Sequence, residues 1–281
     1  MTNSLLKEQK KHLMDEVYAV LKKEGFSQKK MTSAWRRSDT KIDIMRLEFY
    51  SASICDKWRV PIGSFSIKPS CYFSFMPSLQ AGKLWPDALE MDTLSDFYSQ
   101  MRLKVFKGIK QIKQTENQSF LQAVLNKVSG HKIEPEPLNI WWIGIDEEAF
   151  IQVTEDVIRQ IQNKALIFYK RLESKNELIR TLMEDKDVWG RDTEDGIYDF
   201  GGDNSIKGLC YTGFTAMHIE RFDIARDSLE RCLDKLVDKY EKFQKNTMYE
   251  GKDGVERKVF DENLIACIEN KLSEIKLLNS G

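Results

Sequence analysis

No run of this 281-residue sequence approaches the roughly 18 apolar residues that a membrane-spanning helix requires, which rules out a helical span. Cysteine is scarce and unpaired. Its five positions, Cys55, Cys71, Cys210, Cys232 and Cys267, are odd in number, widely spaced and free of any C-x-x-C pair. Such spacing argues against a disulfide framework and against a thiolate zinc site. Buried, reduced thiols are expected instead, with Cys232 and Cys267 on apolar helical stripes. Histidine is rarer still: His12, His131 and His218 are the only three, and none stands at ligand spacing from a cysteine. Neither a transition-metal centre nor a Ser-His-Asp or Cys-His arrangement has local support. The formal net charge of -1 gives no overall pull toward nucleic acid or anionic lipid, so any such contact needs a local patch. The opening residues, MTNSLLKEQKKHLMDE, carry charge where a signal peptide is apolar, so a cytoplasmic protein with no membrane partner is expected.

What the chain does have is an ordinary globular balance, 41% hydrophobic against 31% charged, arranged in alternating local patterns. Leu5, Leu6, Leu13, Val17, Val20 and Leu21 recur at helical spacing, and Gly25-Phe26 supplies a stop. Four strand-like segments follow: Ser33 to Ser38, Ile42 to Tyr50, Lys57 to Ile67 and Cys71 to Phe75. In the second, the apolar set moves from Ile42 and Ile44 to Met45, Leu47 and Phe49, a break in the two-residue period that predicts a bulge. Short connections favour antiparallel pairing. From Pro86 the pattern reads as helical, through Met101, Val105, Ile109 and Ile112, then through Phe120, Leu121, Val124 and Val128. Gly130 and the P-E-P at 135–137 end it, and Leu138 to Gly144 returns as a strand. Asp146 is a suitable N-cap for a long helix through Val157, Ile161, Ala165, Phe168 and Leu172, and Ser174 to Glu177 forms a capping box for the next.

Residues 184–203 change the composition. Eight acids, Glu184, Asp185, Asp187, Asp192, Glu194, Asp195, Asp199 and Asp203, face only Lys186 and Arg191, with interspersed glycines and no helical period. Beyond lie three helices, Ser205 to Glu220, Asp223 to Gln244 and Asp261 to Leu278. The expected architecture is therefore α+β: an antiparallel sheet flanked by helices over 1–183, an acidic glycine-containing linker over 184–203, and an all-helical region over 204–281. Gly213 and Ala225, twelve apart and followed by Leu229 and Cys232, resemble the small-residue positions of one tetratricopeptide helical hairpin, without a second copy at the repeat spacing.

The order of a first helix, "LKKEGFSQKKMTSAWRR", a strand-rich segment, "LNIWWIGIDEE" and a long helix resembles a bacterial family catalogued as domain of unknown function 4304. The resemblance covers about residues 5 to 185, on Gly25-Phe26, Trp35-Arg36 and Trp141-Trp142. Leu47 to Phe65 departs from that family's usual Gln-Ser pair. It implies no catalytic residues; a role in bacterial conflict, as an immunity or toxin-neutralising protein, is what such a family suggests.

Three stretches are candidates for function. Asp146, Glu147 and Glu148 at a helix start have a sufficient structural reason in capping and the helix dipole. Trp141 and Trp142, adjacent on a strand, face opposite sides, so either both sheet faces are covered or one indole lines a groove. "DVWGRDTEDGIYDFGGDNS", 187–205, joins excess negative charge to aromatics, the mixture used at protein interfaces. Trp189, Asp192, Glu194, Asp195, Tyr198, Asp199, Phe200 and Asp203 are its candidate binding residues. The expectation is a protein-binding module for another, basic protein, with no cofactor, no metal and no catalytic set, and open as to oligomerisation. The other reading kept open is an enzyme or nucleic-acid-acting protein whose site is assembled from distant residues, with a basic helix at 102–113 (Arg102, Lys104, Lys107, Lys110, Lys113) and the Trp141/Trp142 face as its parts. No aromatic interleaves with that basic run, which weighs against nucleic acid.

Overall fold

The computed structural model describes residues 3–30, 32–58, 60–79, 84–85, 101–105, 140–143, 147–184, 192–193, 196–199 and 205–278. The first helix, α1 (Asn3–Lys23), buries Leu13, Val17 and Leu21 along one stripe. It stops as its sequence demands. Gly25 takes φ +85°, the Phe26 N–H reaches back to Leu21 O (3.1 Å) and the Gly25 N–H to Lys22 O (3.2 Å), a Schellman closure that drives Phe26 into the core.

Four antiparallel strands follow in meander order, β1 (Gln28–Lys30), β2 (Ser33–Arg37), β3 (Lys41–Phe49) and β4 (Ser64–Phe73), with a short helix α2 (Ala52–Trp58) between the last two. Two sequence expectations change here. The strand expected from Lys57 begins only at Ser64, because 52–58 coil into α2, and it runs through Cys71 without interruption. The expected bulge in β3 is absent, since its register against β4 is unbroken from Lys41↔Phe73 to Phe49↔Phe65. The break in period has another cause: both faces of β3 are apolar. Met45 and Leu47 join Ala34, Phe65, Ile67, Cys71 and Phe73 in the main core, while Ile42 and Ile44 join Trp35 and Tyr72 in a second cluster on the opposite face.

Pro69 lies inside this central strand and is tolerated for a geometric reason. The Tyr50 N–H to Ser64 O and Ser74 N–H to Thr40 O bonds bracket the β3–β4 ladder and set its alternation. Pro69, opposite Met45, then falls at a position that exchanges no hydrogen bond with β3. Its missing N–H faces the other side, between the described pairs to β6 (Trp141–Trp142), which end at Phe65, and those to β5 (Met101–Val105), which begin at Ser70. Two more strands, β7 (Asp192–Thr193) and β8 (Gly196–Asp199), extend the sheet beyond β5, giving the order β1-β2-β3-β4-β5-β8-β7 with β6 beside β4.

Helix α3 (Glu147–Gln160) continues through a π turn, Ile161–Ala165, into α4 (Leu166–Arg171). Val157, Ile161, Ala165, Phe168 and Leu172 from this rod are buried in the main core. Asp146, the expected cap, lies outside the described residues, as do Phe120, Leu121, Val124 and Val128. Ser174 does cap α5 (Lys175–Glu184), accepting from the Glu177 N–H at 3.3 Å. Helices α6 (Ile206–His218), α7 (Phe222–Lys245) and α8 (Gly251–Leu278) complete the chain. Their buried residues belong to the same continuous cluster as the sheet, which runs from Leu13 to Ile275. The expected linker therefore contributes two strands, and the helical region over 204–281 shares its core with the sheet. No described helix is long and apolar enough to cross a membrane.

The α6–α7 hairpin shows why its small residues are required. A Cβ on Gly213 would sit 2.5 Å from Leu229 Cδ2 and Cγ, and Ala225 and Leu229 are fully buried. We expect Gly213→Val to destabilise the protein by about 2 kcal/mol or more through overpacking. Leu229→Ala alone should also destabilise, but the double variant should lose clearly less than the sum in urea unfolding, because the cavity admits the new side chain. Additive losses would show that the two residues do not meet.

Candidate functional site

The acidic segment is a β-hairpin on the edge of the sheet. Asp192 pairs antiparallel with Ile197 and Thr193 with Gly196, and β8 pairs with β5 as Arg102↔Asp199, Leu103↔Tyr198 and Val105↔Ile197, with a register shift between Leu103 and Val105. Of the candidate binding residues, Asp192, Tyr198 and Asp199 are on these strands, whereas Trp189, Glu194, Asp195, Phe200 and Asp203 lie outside the described residues. The sequence offers turn-forming residues here, Asp195 and Gly196, but no Asn-Gly or Asp-Gly pair between the partners Thr193 and Gly196. Acids and glycines in excess disguise the hairpin as a linker.

The basic helix expected over 102–113 is corrected for its first part. Met101–Val105 is a strand, with apolar Met101, Leu103 and Val105 alternating with Arg102 and Lys104. Met101 and Val105 also satisfy a helical spacing, and the two-residue period that includes Leu103 is the one adopted. Lys107, Lys110 and Lys113 lie outside the described residues. Register sets Arg102 opposite Asp199.

The two tryptophans divide as adjacent strand residues must. Trp141 is buried, stacks on Phe65 at 5.8 Å and donates its indole N–H to Asp156 Oδ2 at 3.0 Å. Trp142 is half-buried and donates to Ile62 O at 3.1 Å. Their two-residue strand flanks β4 instead of forming the centre of the sheet. Both indole nitrogens are thus committed to holding β6 in place, Trp141 to α3 and Trp142 to the turn before β4. Glu147 and Glu148 are exposed in the first turn of α3, where carboxylates meet the positive end of the helix dipole.

Inside the sheet lies a polar cluster that sequence spacing does not reveal. Asp43 of β3 accepts from Arg36 Nε at 2.8 Å, from Lys41 Nζ at 2.8 Å and from the Cys71 thiol at 3.2 Å. Lys41 also donates to Tyr169 O at 2.7 Å, and the Tyr169 hydroxyl donates to Ile44 O. The residue types suggest acid–base or thiol chemistry, but the arrangement opposes it. Burial pushes the Cys71 thiol well above its usual range, against the pull of Lys41, and likewise raises Tyr169, so both groups are held neutral. Among the described residues, no group of three histidines, cysteines or acids is placed to hold a metal.

At the end of α6, His218 stacks on Phe75 with ring centroids 4.1 Å apart and 12° between planes. Its Nε2 is buried without a hydrogen-bond partner among the described residues. Burial, and secondarily the charge of Lys175, hold this imidazole below the usual value. No family model, curated protein or solved structure gives a significant match to the chain, so the resemblance to domain of unknown function 4304 rests on its landmarks alone.

Two predictions follow from this geometry. Trp141→Ala should cost about 3 to 5 kcal/mol in chemical unfolding and leave Asp156 without its indole partner, whereas Trp142→Ala should cost about 1 kcal/mol. Equal losses would contradict the division of the pair. For His218 the folded state resists protonation more than the unfolded state. Its contribution is therefore complete above the unfolded value of about 6.5 and is lost as the pH falls from there through the lowered folded value. A His218→Phe variant should lack part of the fall in Tm that the parent shows between about pH 7 and pH 5.5, a window set by the ordinary histidine value.

Proposed function

We propose that the chain is a non-enzymatic protein-binding module that captures a basic protein through its acidic, aromatic-bearing segment at 187–205, as an immunity or toxin-neutralising protein would. The observation that supports this reading is the position of that segment on the sheet. Six of its residues, Asp192 and Asp199 among them, form β7 and β8 at one end of the strand order, and β8 pairs with β5. A ligand-binding surface on a paired strand loses less freedom on association than a solvated linker would. Among the described residues β7 is an end strand, and such a strand presents backbone donors and acceptors to which an extended segment of a partner can add. Acidic charge steers a cationic partner to that edge, and Trp189, Tyr198 and Phe200 supply anchors of the kind that dominate interface energetics.

The test is binding of a small cationic protein or a lysine-rich extended peptide, measured by titration calorimetry. Affinity should fall steeply with added salt, since the charges are screened within about 10 Å at 0.1 M ionic strength. Replacing Asp192, Glu194, Asp195 and Asp199 together by lysine should abolish it while the far-ultraviolet dichroism of the chain is retained. Affinity that ignores both salt and charge reversal sinks the reading.

A further inference from the structure

At the opposite end of the strand order, α1 and the sheet enclose a cleft of about 480 Å³ lined by Lys10, Lys11, Met14, Asp15, Lys29, Thr32 and Phe49. We propose that this cleft is a binding site for a small molecule bearing two or three linked phosphates. The inference is independent of the acidic hairpin and of what that hairpin binds.

Lys10, Lys11, Met14 and Asp15 recur at spacings of three and four and so share one side of α1. Lys29 comes from β1, Thr32 from the turn into β2, and Phe49 from the end of β3. Three lysines and a single carboxylate, Asp15, thus line the cleft, and Asp15 lies 3.8 Å from Lys29 Nζ. Two of the lysines are held at aromatic faces: Lys10 Nζ is 4.7 Å from the Phe49 centroid and Lys29 Nζ 4.3 Å from that of Tyr18. The ring contacts fix where the Lys10 and Lys29 ammonium groups sit, while Lys11 and Lys29 stay exposed to an incoming ligand. Positive charge in a concave, partly apolar site focuses the field and concentrates multivalent anions.

The lining also discriminates among anions. Arginine, whose planar fork matches a carboxylate with two parallel bonds, is absent from it. Lysine acts as a compact point charge, and several of them suit the separated negative charges of a phosphate chain. The Thr32 side chain adds a hydroxyl that can donate to a phosphate oxygen. One face of Phe49 is occupied by Lys10, and its ring lies 5.1 Å from that of Phe65, so the aromatic floor is already engaged and stacking of a base is not the main source of affinity. The volume is in the range of small-molecule sites, roughly 300 to 1,000 Å³.

Calorimetric titration of the full chain with inorganic tripolyphosphate, with adenosine triphosphate and with citrate tests the proposal. Saturable one-site binding of tripolyphosphate is expected, with citrate weaker. Lys10→Ala/Lys29→Ala should weaken it by on the order of tenfold or more. Asp15→Asn, which removes the competing carboxylate, should strengthen it, an effect that loss of folding cannot imitate. Equal affinity for tripolyphosphate and the nucleotide assigns recognition to the phosphate chain, and tighter nucleotide binding adds a contact to the base or sugar. Absence of saturable tripolyphosphate binding, citrate binding as tight as tripolyphosphate, or affinities unmoved by both sets of substitutions would overturn the proposal.

Discussion

Asp43 is a buried carboxylate in the middle of an apolar sheet, and its partners come from every direction. Arg36 reaches it from β2, Lys41 from its own strand and Cys71 from β4. Arg36 also donates to Glu24 O beyond the end of α1 and to Glu173 Oε1 after α4, while Lys41 donates to Tyr169 O in α4. A buried ion cluster adds little net stability over an apolar isostere, since desolvation offsets most of its attraction, but leaving one member unpaired costs about 3 to 5 kcal/mol. Its consequence here is positional. Slipping β3 by one residue would turn Asp43 to the opposite face, toward Trp35 of β2 and Tyr72 of β4, and away from Arg36 and Cys71. In a strand apolar on both faces, hydrophobicity alone cannot choose the register, and the buried charge can.

The remaining architecture inherits that register. With β3 fixed, the long strand β4 aligns, and its far side receives β6 at Ser64–Phe65 and β5 at Ser70–Cys71. Pro69 between them removes a donor where no described partner needs one. Through β5 the alignment passes to β8 and β7, so the place of the acidic hairpin traces back, pairing by pairing, to a carboxylate four strands away in the order. The helical half is held by a second carboxylate of similar design. Asp261, buried in α8, accepts from Lys239 of α7 at 2.9 Å and from the Tyr249 hydroxyl at 2.7 Å, which fastens the turn between those helices.

What could be read in the sequence was what is decided locally. The stop at Gly25-Phe26, the Ser174 cap and the close contact of Gly213 with Leu229 depend on residues near in the chain or on small side chains at fixed spacing. Met101–Val105 is ambiguous in sequence because a five-residue window satisfies both periods, and β3 mimics a bulge because alternation presumes one wet face. The Asp43 cluster was invisible for a different reason: Lys41 and Tyr169 are 128 positions apart, and no local pattern marks two residues that meet only after the sheet and the rod of α3 and α4 have packed.

The same physics separates the interior from the surface. Burial raises the Cys71, Tyr169 and Cys210 groups and keeps them neutral, so the reactive residue types of the core serve packing and hydrogen bonding. The two proposed binding regions lie at the margins of the sheet, acidic in sequence at the β7 end and basic in the cleft at the β1 end. Six interstrand steps separate those ends in the order, which at about 4.8 Å each is roughly 29 Å before twist. That is several times the Debye length of about 8 Å at physiological ionic strength. Neither margin screens or competes with the other through solvent. Any coupling between ligands at the two ends would have to pass through the packed strands.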